Sequence, residues 1–183
     1  MSFAQPREER LPFAEVVSLH QAVVYRYLAR LTRSRQDAED LFQDVFLRAH
    51  RAYATLPVDA DVRAWLMRIA TNLTKNHFRS RHRRRRVLAD PVSSANEKPD
   101  EAAPDLEGLM ISHETARTLR AAIDALPFHQ RAALLQRQFE GLDYPAIAAN
   151  LGCSRDSARA HVYQALRKLR LALEHAHQDG QQG

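Results

Sequence analysis

Apolar side chains recur along the chain at steps of three and four residues, the spacing of one face of an α-helix. Before residue 89 this pattern predicts three helices. The first has its apolar face at Phe13, Val16, Val17, His20, Val23, Val24, Tyr27, Leu28 and Leu31. The second begins at Asp37 and buries Leu41, Phe42, Val45, Phe46, Ala49 and Tyr53. The third buries Val62, Trp65, Leu66, Ile69, Ala70 and Leu73 and continues into an arginine-rich stretch at 79–86.

Four shorter helices are predicted after residue 107. The first packs through Leu119, Ile123 and Leu126 and ends before Pro127, and the second runs from about 128 to 139 and ends near a glycine at 141. An aspartate at 143 caps the third, whose first turn holds a proline at 145. The fourth starts at about 155 and buries Ala158, Val162, Ala165, Leu166, Leu169 and Leu173. The chain is therefore predicted to be all-α.

The segment 144–173 has the order of a helix-turn-helix: a short helix, a tight turn with a glycine and a longer helix. Ser154 is expected to cap the longer helix, so that its N-terminal end faces DNA. The predicted outer face of this helix presents Arg155, Ser157, Arg159, Ala160, His161, Tyr163 and Gln164. Arginine reads a guanine edge or holds a phosphate. An ordinary helical hairpin with a solvated basic face is the alternative for this segment.

Residues 89–107 form a break between the two groups of helices. They contain three prolines, six acidic residues and one lysine and show no apolar periodicity, which predicts a flexible acidic linker. The whole chain has a net charge of +5 and the linker −5, so the other 164 residues carry +10. A basic balance of this size favours an anionic partner such as nucleic acid.

The sequence shows no catalytic or metal-binding constellation. Cys153 is the only cysteine, which excludes an intramolecular disulfide and a cysteine-based metal site. The phosphate-loop, serine-hydrolase and zinc-protease motifs are absent. The N-terminus has no apolar signal core, and no apolar run reaches the ~20 residues of a membrane span. We therefore expect a cytoplasmic, non-enzymatic protein that has no catalytic residue, metal or cofactor and does not insert into a membrane.

Three stretches, in order, carry a family resemblance. Residues 37–50 (DAEDLFQDVFLRAH) and 63–72 (RAWLMRIATN) are similar to regions 2.2 and 2.3 of sigma factors, and Ala125–Pro127, 141–148 and 151–152 are similar to region 4. The chain thus resembles an extracytoplasmic function (ECF) sigma factor of the sigma-70 superfamily. The resemblance implies a region 2 helical domain at 1–88, the linker at 89–107 and a region 4 helix-turn-helix domain at 108–183.

The resemblance also implies partners and contact residues. Core RNA polymerase would be bound through its β′ clamp helices and β flap, with Gln43, Asp44, Leu47 and Arg48 as contacts on the first of these. The opened, single-stranded −10 element would be held by Leu56, Arg63, Asn72, Lys75, Asn76 and Arg79, with a flipped base near Leu56, Asn72 and Asn76. The duplex −35 element would be read by Arg137, Arg155, Ser157, Arg159, His161, Tyr163 and Gln164. An anti-sigma factor is implied as a regulatory partner.

Three positions of the longer helix depart from the usual family pattern. Asp156-Ser157 stands where glycine is common before a threonine, and His161 and Gln164 stand where arginine is common. These changes bear on which DNA sequence the longer helix would recognise, and not on its mode of binding. Two other hypotheses remain: an autonomous helix-turn-helix regulator whose N-terminal half senses or dimerises, and an enzyme that modifies nucleic acid.

Overall fold

The structure, a computed structural model, describes residues 10–87 and 113–179. In these residues it consists of helices and contains no strand, which confirms the all-α prediction. The seven helices are α1 (Phe13–Thr32), α2 (Arg35–Tyr53), α3 (Val62–Val87), α4 (His113–Asp124), α5 (Phe128–Gln138), α6 (Tyr144–Leu151) and α7 (Arg155–Asp179). The predicted linker at 89–107 and the outer ends of both predicted domains lie outside the described residues.

Helices α1–α3 form the first group, called domain 1. The chain reverses after α1 at Arg33, which has a left-handed φ of 66°. Ser34 then caps α2, because its side chain accepts a hydrogen bond from the Asp37 backbone N–H at 3.2 Å. This cap starts α2 two residues before the predicted Asp37. The predicted apolar faces are buried or half-buried as expected, and Trp65 packs against the core.

Helices α4–α7 form the second group, called domain 2, and contain the predicted helix-turn-helix. Asp143 caps α6 by accepting from the Ala146 backbone N–H at 2.8 Å, and Ser154 caps α7 by accepting from Ser157 at 3.1 Å. Gly152, at a φ of 66°, makes the turn between these helices. Both caps and the turn were predicted. They fix where α7 begins and which residues its first turns present.

One predicted core position of α7 is wrong. Leu166 is 41% exposed, whereas Ala165 and Leu169 on either side of it are buried. A helix turns by about 100° per residue, so an inward Ala165 directs the next side chain away from the core. Leu166 therefore belongs to the outer surface of domain 2.

The two domains pack directly on each other. Helix α3 contacts α6, and α1 contacts α5, so α3 is covered by domain 1 on one side and by domain 2 on another. Met67, Thr71 and Thr74 are also buried, outside the predicted apolar face, and the Thr71 hydroxyl lies 3.2 Å from the Gln136 amide of α5. One continuous cluster of buried side chains runs from α1–α3 into α5, α6 and the start of α7.

Candidate nucleic-acid interface

The N-terminal half of α7 presents a basic and aromatic surface. Arg155, Arg159 and Tyr163 are exposed, the last by 68%, at one-turn spacing along the helix. The Ser154 hydroxyl lies 2.9 Å from that of Ser157, which is half-buried in the first turn. The cap therefore leaves the arginines as the groups that extend from this end of the helix.

The other predicted −35 residues of α7 face α5. The ring of His161 lies 5.5 Å from the ring of His129, and Gln164 accepts a hydrogen bond from the Gln130 amide at 2.8 Å. His161 is half-buried, and its Nδ1 has no hydrogen-bond partner. The structure thus divides the predicted −35 set: the arginines and Tyr163 point outward, whereas His161 and Gln164 contact α5 of the same domain.

Arg137 stands at the end of α5, close to the helix-turn-helix. Its guanidinium donates to the Leu142 carbonyl at 3.0 Å and lies over the Tyr144 ring at 5.0 Å. The side chain remains exposed. These contacts hold the loop before α6 and leave the cation at the surface, where it can meet a phosphate.

A groove of about 620 Å³ runs along the outer side of α7. Tyr144 of α6 and the α7 residues Arg159, Tyr163 and Leu166 line it, together with Asp156, Ala160 and Val162. Apolar side chains make up most of its wall. The exposed Leu166 is therefore part of a concave surface next to the outward arginine.

The predicted −10 residues of α3 fall into two sets. Asn72, Asn76 and Arg79 are exposed, whereas Lys75 is half-buried. Arg63 is also half-buried, and its guanidinium pairs with the Glu140 carboxylate of domain 2 at 2.6 Å. Five of the six predicted residues therefore lie on α3, and one of these five, Arg63, forms an ion pair with domain 2.

The sixth predicted −10 residue, Leu56, lies in the loop before α3. It is half-buried, and its backbone carbonyl accepts a hydrogen bond from the Arg10 guanidinium. The same guanidinium donates to the Tyr53 carbonyl at the end of α2. Arg10 therefore holds this loop against domain 1.

Cations from both domains meet where α3 approaches α5 and α7. Partial burial lowers the pKa of His129, and the positive charge of Lys75, together with His161 and Arg79, lowers it further. Lys75 also lies close enough to Cys153 to favour its thiolate, although burial dominates and raises the pKa of that thiol. A neutral His129 is the form that this junction favours.

Part of the arginine-rich stretch is held by domain 1 itself. Arg81 pairs with the Asp37 carboxylate at 3.1 Å, and the His77 imidazole lies 3.3 Å from the same group. Arg79 and Arg83 are exposed. The end of α3 therefore combines an ion-paired side against α2 with free positive charge on another side.

The predicted polymerase-binding residues all lie on the outer face of α2. Gln43, Asp44 and Arg48 are exposed, and Leu47 is 57% exposed between them, although Leu41, Val45 and Ala49 of the same helix are buried. An exposed leucine surrounded by polar groups is compatible with the apolar centre and polar rim of a protein-binding surface.

Comparison with known proteins bears on these surfaces. Residues 16–84 match the family described as Sigma-70 region 2, and residues 116–169 match Sigma-70, region 4. The RNA polymerase sigma-H factor of Pseudomonas aeruginosa is 31% identical over 174 residues, which cover 92% of this chain and 89% of that protein. The ECF RNA polymerase sigma-E factor of Escherichia coli K12 is 31% identical over 133 residues, 70% of each chain.

This chain belongs to the ECF sigma factors of the sigma-70 family. A solved structure shows the same fold: the sigma factor RpoE, in complex with the anti-sigma factor NepR from Bartonella quintana, matches with a TM-score of 0.72 at 22% identity. The match covers 88% of this chain and 96% of that one. The family matches and the two relatives confirm the family predicted from the sequence, whereas the roles of individual residues stay predictions.

The sequence analysis of this sigma factor missed a buried polar cluster between the domains. It consists of Tyr27 on α1, Thr71 on α3, Gln136 on α5 and Asn150 on α6, each at most 4% exposed. We call these four residues the Tyr27 cluster. One signal was available: Gln136 directly follows four apolar residues at 132–135, a run too wide for a single apolar face.

Burial determines the chemistry of Tyr27. Complete burial raises the pKa of its phenol to about 12, and hydrogen bonds with Thr71 and Gln136 oppose part of this rise. The phenol is therefore protonated over the whole physiological range. It can donate one hydrogen bond and accept another in the Tyr27 cluster.

No helix within the described ranges is long and apolar enough to cross a membrane. The same ranges hold no group of three or more histidine, cysteine, aspartate or glutamate side chains in an arrangement that could bind a metal ion.

Proposed function

We propose that this sigma factor binds core RNA polymerase in the cytoplasm and directs it to promoters through separate surfaces on α2, α3 and α7. It acts as a subunit of the transcription machinery and not as an enzyme. The observation that carries the proposal is the capped N-terminal end of α7, which presents Arg155 and Arg159 from a helix-turn-helix.

The α7 surface supports recognition of a duplex −35 element. An α-helix fits the major groove of B-form DNA, where arginine pairs with the O6 and N7 atoms of guanine. Arg159 and Arg155 extend from the end of α7 that enters the groove in this motif. Arg137 supplies a cation for the DNA backbone. Asp156, in the first helical turn, is compatible with this end because it interacts favourably with the helix dipole.

The α3 surface supports binding of an opened −10 element. Asn72 and Asn76 are one turn apart and exposed, so their amides can hydrogen-bond to the edges of unstacked bases. Arg79 follows as a backbone-binding cation. Taking a base out of a duplex costs a few kcal/mol, which contacts of this kind offset.

The α2 surface supports docking on the β′ clamp helices. Leu47 offers exposed apolar area, and Gln43, Asp44 and Arg48 surround it with groups that hydrogen-bond or pair with opposite charge. Domain 2 would contact the β flap. The predicted ranges 1–88, 89–107 and 108–183 supply the two binding domains and the tether in this proposal.

An anti-sigma factor is the proposed regulatory partner. The solved sigma factor RpoE, which shares this fold, was crystallised with the anti-sigma factor NepR. The apolar groove of α7, with Tyr163 and Leu166 in its wall, is a surface that such a protein can cover.

Transcription from a promoter library with purified core polymerase tests the proposal. We expect selected initiation with the wild-type chain. The Arg159→Ala variant should weaken −35 recognition by about 1–3 kcal/mol, the value of one bidentate base contact. Arg170→Ala, an exposed arginine farther along α7, is the matched control and should leave promoter choice unchanged.

Core binding is measured separately with Leu47→Asp. Leu19→Asp on α1 is its control, because Leu19 is 64% exposed and lies outside the proposed surface. Only the first variant should weaken the complex. Tight duplex binding by a wild-type chain that does not bind core polymerase would show instead an autonomous DNA-binding regulator.

A further inference from the structure

Arg10, which lies before α1, is fastened to the end of α2 and to the α2–α3 loop, residues 54–61. We propose that Arg10 is a positioning residue for the −10 strand: it keeps this loop in the shape that presents Leu56 to an unstacked base. The inference rests on the proposed −10 function of domain 1 and adds to it a residue outside the helices. Arg10 acts through the loop and does not itself contact DNA.

The Arg10 guanidinium bridges two backbone carbonyls. It donates one hydrogen bond to the Tyr53 carbonyl, at the last residue of α2, and another to the Leu56 carbonyl, in the loop. It also lies over the Tyr53 ring, 5.1 Å from the ring centroid. A guanidinium is planar and holds its N–H groups in a fixed fork, so two bonds from one group restrict the distance between their acceptors. Arg10 therefore sets where the loop leaves α2.

The hydroxyl of Tyr53 returns a hydrogen bond to the segment that carries Arg10. It donates to the Leu11 carbonyl at 2.9 Å, although 42 positions separate the two residues. The segment before α1 and the end of α2 thus hold each other through two side chains. We call these contacts of Arg10 and Tyr53 the Arg10 clasp. Of its two side chains, Arg10 is the one that bonds to the loop.

Arg10 meets the loop between its two backbone turns. The Leu56 N–H donates to the Tyr53 carbonyl at 3.2 Å, and the Ala60 N–H donates to the Pro57 carbonyl at 3.2 Å. The Leu56 carbonyl lies between these turns and is used by neither of them. The C-terminal end of a helix also carries partial negative charge and carbonyls without helical partners. A guanidinium at this place therefore satisfies the Leu56 carbonyl and stabilises the end of α2.

The other end of the loop is fixed by α3. Asp61 caps this helix, because its carboxylate accepts a hydrogen bond from the Ala64 backbone N–H at 3.0 Å. Between the two fixed ends Leu56 is half-buried against the core, and Val58 is 56% exposed. The loop thus has a defined shape that depends on α3 at one end and on the Arg10 clasp at the other.

A loop that is held in advance lowers the cost of capturing a base. A free loop must lose conformational freedom before its side chains can pack against an unstacked base. Arg10 reduces this cost, because a hydrogen bond from a charged donor is stronger than a neutral one. Without the guanidinium, the Leu56 carbonyl can turn to water, and the loop gains shapes that do not fit the base. We therefore expect weaker −10 binding and poorer discrimination of the base next to Leu56.

The surroundings of Arg10 distinguish positioning from direct contact with DNA. Its side chain is half-buried, and its two terminal nitrogens each donate to a carbonyl. Arg79 on α3 is exposed and can reach a phosphate. A cation that binds a phosphate displaces a counterion, so its loss lowers the salt dependence of binding by about one unit of slope. Loss of Arg10 should leave this slope unchanged, whereas loss of Arg79 should reduce it.

Binding of a labelled DNA strand that carries the −10 sequence selected from the promoter library tests the inference. It is measured with the complex of the full-length chain and core polymerase over a range of salt concentrations. We expect Arg10→Ala to weaken binding about tenfold, the effect of one hydrogen bond to a charged group, at an unchanged salt slope. Competing strands altered at one base each should show that discrimination is lost at one position. Arg79→Ala should weaken all strands alike.

Three further variants are matched controls. Tyr53→Phe removes the bond to Leu11 but leaves both carbonyl bonds of Arg10, so it should lower thermal stability and keep the base discrimination. Arg10→Lys keeps the charge but not the planar fork and should recover only part of the binding. Arg26→Ala, at an exposed position of α1, should behave as the wild type. Circular dichroism melts verify that every variant is folded.

Three results would overturn the positioning role. The first is wild-type affinity and base discrimination in Arg10→Ala. The second is a lowered salt slope in this variant, which would make Arg10 a direct phosphate contact. The third is an equal loss of discrimination in Tyr53→Phe, because the Arg10 clasp would then act only on the stability of domain 1.

The same measurements separate this inference from the proposed function. If the wild-type chain initiates at selected promoters but Arg10→Ala discriminates −10 bases as well as the wild type, the proposed function stands and the inference is wrong. If the wild-type chain does not bind core polymerase, but alone binds the −10 strand with a base discrimination that requires Arg10, the inference stands and the proposed function is wrong.

Discussion

The interior of domain 1 and the junction between the domains are both buried, but their chemistry differs. The interior relies on apolar side chains such as Leu28 and Leu66, which are fully buried. The junction adds the hydroxyl and amide groups of the Tyr27 cluster and two ion pairs. Apolar groups gain stability only while water is excluded. Polar groups can exchange a protein partner for water. Separation of the junction would therefore be opposed mainly by the apolar cluster that runs from α1–α3 into α5 and α6.

The largest expected effect is a loss of stability when the interior of domain 1 is altered. Leu66→Ala removes a fully buried side chain and leaves a cavity, and we expect the free energy of unfolding to fall by about 2–5 kcal/mol. Urea denaturation measures the loss. Leu19→Ala, on the exposed side of α1, should change it by less than about 0.5 kcal/mol. Similar losses for both would show that domain 1 lacks a specific core.

An ion pair of the junction should have a smaller effect. It should act only on closure, which means the docking of domain 2 on domain 1 through the contacts of α3 with α6 and of α1 with α5. Glu140→Ala removes the partner of Arg63, and we expect the closed state to lose about 1–3 kcal/mol relative to the open state. The ratio of closed molecules, whose domains are docked, to open molecules reports this loss. Single-molecule energy transfer between one dye on α1 and another on α7 measures this closed-to-open ratio. Glu39→Ala breaks the exposed pair with Arg35 within α2 and should leave the ratio as it is. A large drop in unfolding stability for Glu140→Ala would assign this pair to the domain interior.

The N-terminal cap of α7 should affect the stability of domain 2 without affecting closure. Ser154→Ala deletes the cap of α7, and we expect domain 2 to lose about 1 kcal/mol of stability through its first turn. Thermal melting, monitored by circular dichroism, measures this loss. Closure should be unaffected. Ser18→Ala, whose hydroxyl bonds to a carbonyl within α1, is the control. A shift of the closed-to-open ratio would mean that the cap also supports the junction.

The smallest expected effect is on the pH dependence of closure. The pKa of His129 is lowered in the closed state, mainly by burial and then by Lys75, His161 and Arg79. The closed state therefore favours neutral His129, and its contribution is complete above the ordinary pKa of about 6.5 and lost as pH falls through the lowered value. Acidification should open the chain.

Measuring the closed-to-open ratio from about pH 7.5 down to about pH 5.5 checks this sign. His129→Gln should flatten the profile, although some slope should remain from His20, because burial and then the positive charge of Arg63 lower its pKa. His175→Gln, on the exposed part of α7, should reproduce the wild-type curve. Closure that strengthens on acidification would contradict the assignment.

The single-domain features of this sigma factor were predictable from local sequence. The one-face spacing from Phe13 to Leu31 predicted α1, and Asp143 and Ser154 predicted the starts of α6 and α7, because a helix cap is decided within four residues. Ser34 was missed because the start of α2 was placed at Asp37, two residues inside the helix. Leu166 was assigned to the core because a three-and-four pattern also fits a residue on the edge of the apolar face.

The junction was not predictable in the same way. Thr71, Gln136 and Asn150 are polar, and hydropathy assigns polar positions to the surface unless a partner from a distant segment is known. Tyr27 and Gln136 are 109 positions apart. Arg63 shows the consequence for site prediction: its position on α3 suggested DNA, whereas in the docked domains it pairs with Glu140. The α2 residues proposed to bind polymerase could be predicted as exposed without such a partner, because they lie opposite the buried face of the same helix.

The wide sequence separation within the Tyr27 cluster has a consequence for the order of events during synthesis. Thr71 leaves the ribosome 65 residues before Gln136, its partner across the junction. At about 5–20 residues per second, domain 1 is complete for several seconds before domain 2 exists. Each newly made molecule therefore displays all of α3 first and covers part of it last, so closure is acquired after translation of the second domain.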